Sequence, residues 1–120
     1  MRGIETRQLA VVLLIHKQGY ILKKTVDVQV SKRRKKYWLE KENGEVLQYP
    51  IQEQLGVSLE HGGFVESNDS IKYNAFTLRL TERTLKQLEF WMTSPPYVRE
   101  MESLLRLTYK VIRENEKQVM

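Results

Sequence analysis

The densest concentration of one chemical kind in the chain is Lys32-Arg33-Arg34-Lys35-Lys36, with Tyr37 and Trp38 directly behind it. Five cations at consecutive positions reach both faces of any strand or turn, so they cannot all be buried and must meet solvent or a polyanion. The chemistry they offer is phosphate binding by charge. Trp38 would then serve either as a stacking platform for bases or as a core anchor beside Tyr49. A solvated hairpin turn, or a patch for an acidic protein partner, would use the same residues.

Catalysis lacks its inventory. General acid–base or nucleophilic chemistry needs convergent groups, and the chain has two histidines, two aspartates and no cysteine. His61 precedes Gly62-Gly63, a string that can build an oxyanion hole, but no Gly-x-Ser-x-Gly elbow accompanies it. His16 ends an apolar run and reads as a cap or surface residue. Neither Asp27 nor Asp69 has a lysine two residues on, the spacing common in metal-dependent nucleases, and the glycine-rich phosphate loops are missing. The expectation is a non-enzymatic protein with no metal and no cofactor.

The chain's 120 residues, 41% hydrophobic and 29% charged, suit one globular domain, residues 1–120. The net charge of +5 is unevenly spread. Residues 1–41 hold 11 Lys/Arg against 3 Asp/Glu, a net of +8, and residues 42–120 hold 9 against 12, a net of −3. A basic segment of that kind suits DNA, RNA or an acidic partner. The longest apolar run, Leu9 to Ile15, is far short of the roughly 20 residues a membrane span needs. With no disulfide framework and no signal-peptide pattern, the expected location is the cytoplasm, away from membranes.

Several elements must position these residues. Thr6 to Lys17 reads as a nearly all-buried helix closed by Gly19, with a strand as the rival because Val11, Val12 and Ile15 are β-branched. From Ile21 the pattern turns to period two, with Val26, Val28 and Val30 on one face. A second strand from Lys36 or Tyr37 to Glu42 turns at Asn43-Gly44 and returns through Val46 to Tyr49. That register sets Trp38 opposite Tyr49 and Glu42 opposite Glu45, a mildly repulsive pair that favours a loop one residue wider. Ile51 to Leu59 reads as a short helix weakened by Gly56. Phe64–Glu66 and Ala75–Leu80 form a second hairpin, and Thr81 caps a helix striped by Leu85, Leu88 and Trp91 or Met92. After Ser94-Pro95-Pro96, the stripe Tyr97, Met101, Leu104, Leu105, Thr108 and Ile112 marks a long last helix.

Gly63-Phe64-Val65-Glu66-Ser67, Tyr73 to Leu78, Arg79-Leu80-Thr81-Glu82, then Leu85 and Leu88, resemble the wing region of winged helix-turn-helix regulators of the MarR and PadR kind. The resemblance covers residues 59–89. It implies a winged-helix-like fold and DNA binding, although a full motif has two helices ahead of the wing and residues 21–49 read as strands. It further implies that residues 51–61 supply the recognition element, with Gln52, Gln54 and Ser58 as donors and acceptors to base edges.

The combined expectation is an α+β domain with antiparallel hairpins in the middle and helices at both ends, winged-helix-like. It would act on double-stranded DNA as a regulator or a DNA-processing accessory factor, for example of a phage, plasmid or other mobile element. Lys32, Arg33, Arg34, Lys35, Lys36 and Lys72 would grip phosphates. RNA binding, or an interaction module for an acidic protein, are the alternatives. Tyr97, Met101, Leu104, Leu105 and Ile112 would form either core or a homodimer contact.

Overall fold

The computed structural model describes residues 3–27, 34–49, 51–67 and 75–119, and the side chains of residues 3–25, 36–49, 51–67 and 76–114 among them. The run Gln8–Leu14 is buried at every position, as expected of a helix apolar on all sides that lies in the middle of a domain. This helix, α1 (Thr6–His16), settles the helix-or-strand ambiguity of the sequence. Its start is closed by a capping box in which the Gln8 side chain accepts from the Glu5 N–H at 2.9 Å.

Two hairpins follow, joined through a helix. Strands β1 (Ile21–Asp27) and β2 (Arg34–Glu40) pair in antiparallel register, with Leu22 opposite Leu39 and Asp27 opposite Arg34. Helix α2 (Glu53–His61) comes next, then β3 (Val65–Ser67) and β4 (Ala75–Leu80). β4 pairs with both β1 and β3, giving one antiparallel four-stranded sheet of order β2-β1-β4-β3. The residues of one face, Leu22, Lys24, Tyr37, Leu39 and Leu78, are buried, and α1 and α2 contact the sheet. On the other face Lys23, Thr25, Lys36, Trp38, Glu40, Thr77 and Arg79 are exposed or half-buried, the alternation of an antiparallel sheet with one solvated side.

The Asn43-Gly44 turn forms, with Gly44 at φ 89°, and its loop is one residue wider than a Glu42/Glu45 pairing would make it, as their repulsion favours, so the Trp38/Tyr49 register is corrected by one residue. Glu40 bridges Val46, and the Lys41 N–H donates to the Glu45 carbonyl at 2.8 Å. The slip replaces the Glu42/Glu45 repulsion by an attraction between Lys41 and Glu45, whose side chains lie 3.7 Å apart. A three-residue loop with glycine in the left-handed region accommodates it. Trp38 therefore has no strand partner in Tyr49. Among the described residues the returning segment makes the bridges Glu40–Val46 and Tyr37–Ile51, and the Leu47 N–H donates to the Leu39 carbonyl at 2.9 Å.

Thr81 caps α3 (Glu82–Thr93): its hydroxyl accepts from the Thr84 N–H at 3.3 Å and donates to the Gly63 carbonyl at 2.7 Å. Leu88 and Trp91 of α3 are buried, whereas Leu85, expected in the apolar stripe, is 39% exposed. Helix α4 (Pro95–Val119) opens on proline, which the first turn tolerates, and packs against α1 and α3. Met101 and Leu104 are buried within the chain itself, so they are core residues and cannot be surface contacts of a dimer. Tyr97, Leu105 and Ile112 are half-buried against the same core. Leu104→Ala should therefore lower stability by about 2–4 kcal/mol through lost contacts and a residual cavity, and the half-buried Leu105→Ala by less. Chemical denaturation gives the difference, and sedimentation should show the mass of both variants unchanged.

Candidate nucleic-acid interface

β1 and β4 are antiparallel, with Leu22 beside Leu78 and Thr25 beside Ala75. The last residues of β1 and the first residues of β4 thus lie at one end of the sheet. Arg34, paired with Asp27, opens β2 at that same end. Both hairpin connections, residues 28–33 and 68–74, are joined there. Lys32, Arg33 and Lys72 lie in those connections and fall outside the described residues, as do Val28 and Val30. Arg34, Lys35 and Lys36 are the first three residues of β2, and Lys36 is exposed.

Trp38 is half-buried on the solvated face, two residues beyond Lys36. The aromatic that anchors the core is its neighbour Tyr37, only 4% exposed. Along the outer edge of β2 a groove of about 400 Å³ is walled by Trp38 and Tyr37 on one side and by Val46, Gln48, Tyr49 and Ile51 on the other.

Tyr37, which lines the groove, also belongs to a polar cluster on the core face. Lys24 stands on the core face of β1, and its Nζ meets Glu60 Oε1 of α2 at 2.8 Å. The Tyr37 hydroxyl donates to the other oxygen, Glu60 Oε2, and the Lys24 ammonium lies 5.1 Å from the Phe76 ring centre. Burial first, then the hydrogen bond to Glu60 and the charges of Glu60 and Glu53, push the Tyr37 phenol above its ordinary value near 10. Gly56 completes the fit: a Cβ there would come within 2.3 Å of the Tyr37 ring, so only glycine lets α2 approach β2 this closely. The sequence reading took Gly56 as a weak point of the helix. In the structure it is the contact surface.

The sequence reading missed Lys24, Tyr37 and Glu60 as a unit. A signal was present: Leu22, Lys24 and Val26 share one face of a period-two strand, and a cation among apolar residues requires a partner.

α2 is held on several sides. Gly56 and Leu59 are buried, and Leu55, Val57, Ser58 and Glu60 half-buried. The Ser58 hydroxyl donates to the Leu55 carbonyl at 2.7 Å and accepts from Gln8 Nε2 at 3.1 Å, so it is engaged internally. Gln52 and Gln54 are exposed at the start of the helix. His61 is exposed at its end. His16 sits beside a second concavity, lined also by Tyr20, Thr77 and Arg79, and burial followed by the charge of Lys17 lowers its pKa.

No protein-family model, curated protein or solved structure matches this chain.

Two outcomes follow from the cluster. Glu60→Ala would leave Lys24 charged and nearly buried without its counter-ion, which should cost about 3 kcal/mol or more in denaturant unfolding. The pH dependence has a definite sign, because the folded state favours the neutral phenol of Tyr37. Its contribution is complete below the ordinary tyrosine value and is lost as pH rises above about 10. The loss of stability between pH 8 and 11 should be smaller in Tyr37→Phe than in the wild type.

Proposed function

We propose that this protein is a non-enzymatic DNA-binding module that grips phosphates with the basic end of its sheet. The observation that carries the reading is the antiparallel pairing of β1 with β4, which brings the starts of β2 and β4 to one end of the sheet. The two connections attached to that end contain Lys32, Arg33 and Lys72, and Arg34, Lys35 and Lys36 continue directly into β2. Cations at one end of a rigid sheet meet a polyanion with little ordering of the scaffold, which favours fast, salt-sensitive association.

The order α1, hairpin, α2, hairpin, α3 suits a winged-helix-like role for β3 and β4 as the wing. Base reading would then be limited to Gln52 and Gln54, since the centre of α2 is covered and Ser58 is engaged. Affinity in this account comes from cations and little from sequence. A regulator or an accessory factor of DNA processing fits such a binder, acting in the cytoplasm.

Fluorescence anisotropy with a labelled random-sequence DNA at several salt concentrations tests the reading. Neutralising about five phosphates gives a log–log salt slope near −4 to −5, and replacing Lys32, Arg33, Arg34, Lys35 and Lys36 by Gln should remove most of it. An unchanged slope in that variant would show that the cluster does not touch DNA. A flat signal at low salt would overturn DNA binding altogether.

A further inference from the structure

The groove beside β2 has features that phosphate binding alone does not use. Trp38 and Tyr49 line its two walls and are both half-exposed, beside the more deeply set Tyr37. A half-buried tryptophan, and a tyrosine that also packs against the core beside α1 and α4, border one concavity and offer it π-surface for a flat ring. The nearby charges are arranged to match. On the solvated face Lys23 already pairs with Glu40 at 3.7 Å and donates to Thr77 Oγ1 at 2.7 Å. Lys36 is exposed and has no ion pair among the described residues. Two residues along a strand span about 7 Å, so Lys36 stands close enough to Trp38 to hold the phosphate of a nucleotide whose base lies on the indole.

We infer that this groove receives the unpaired bases of single-stranded DNA, stacked on Trp38 and Tyr49 with Lys36 on the adjoining phosphate. The inference rests on the DNA-binding reading above and narrows its substrate. In a duplex the base faces are already stacked on one another, so an aromatic groove gains nothing from them, whereas an unpaired base of any sequence has a free π-face. An acidic peptide would satisfy Lys36 but leave both aromatic faces unused. Of the remaining wall residues Val46, Leu47 and Ile51 are apolar and Gln48 is polar. The apolar part suits the methyl group of thymine, which uracil lacks, and so favours DNA over RNA.

Tryptophan emission separates this inference from the reading it rests on. The chain has two tryptophans, and Trp91 is buried in α3, so quenching by added DNA reports Trp38. Oligo(dT) should quench the wild-type emission. Trp38→Leu should lose the quench and bind oligo(dT) about 10-fold or more weakly, while its duplex affinity stays within about 2-fold. Tyr49→Leu, which leaves Trp38 in place, should also weaken oligo(dT) binding and so guards against a misfolded tryptophan variant. If oligo(dT) binds with a steep salt slope but neither quenches nor responds to the two substitutions, the groove is idle and only the phosphate grip survives. Tighter binding of oligo(rU) than of oligo(dT) would overturn the choice of DNA. Absence of binding by oligo(dT) and duplex alike at low salt would overturn the DNA-binding reading itself.

Discussion

A lysine on the core face of a strand must find its counter-charge within the fold, and here the demand of Lys24 determines where α2 can sit. Glu60 answers it from α2 at 2.8 Å and takes the Tyr37 hydroxyl on its other oxygen, so one carboxylate ties a helix to two adjacent strands. The geometry is demanding because a buried charge without a partner costs several kcal/mol, whereas the assembled cluster adds little net stability beyond an apolar core. Its contribution is to position. Gly56 against the Tyr37 ring makes the same approach sterically feasible. With α2 pinned, Ile51 just ahead of it bridges Tyr37, and Val46 bridges Glu40 nearer the turn.

That arrangement divides the sheet's two faces between stability and contact. The inner face is closed by α1 and α2, and the apolar stripes of α3 and α4 complete the core. The outer face keeps Lys36, Trp38, Thr77 and Arg79 toward solvent. Because β2 and β4 both start at one end of the sheet, the basic run and the second hairpin's connection are attached to that same end. The middle of α2 is packed on β2 and α1, which leaves Gln52 and Gln54 exposed at its start.

Much of the fold was legible because its elements have strong periods or strong ends. The alternation of β1 and β4, the Thr81 cap and the stripe of α4 each specify one structure from local sequence, whereas the apolar run of α1 left helix and strand both open. Less legible were features decided by contacts distant in sequence. Trp38 and Tyr37 are adjacent and both aromatic, and only the pairing of Tyr37 with Lys24, together with Gly56 across from it, decides that Tyr37 goes inward. A slip of one residue at Asn43-Gly44 exchanges cross-strand partners while leaving the turn intact. Leu85 satisfies the helical period yet lies exposed, and Met101 and Leu104 fit core and interface equally well by spacing alone. The basic cluster was conspicuous in the sequence, but the groove beside it was not, because it is made by two segments that share no motif.

The central claim is that nucleic acid meets the basic end of the sheet and the outer edge of β2. Amide chemical-shift mapping during titration with a short DNA oligonucleotide reads that surface residue by residue. The account predicts the largest changes at Lys36, Trp38, Gln48 and Tyr49, with Leu59 in α2 and Thr108 in α4 unmoved. Shifts concentrated around the exposed Phe90 and Tyr109, with β2 unchanged, would contradict it.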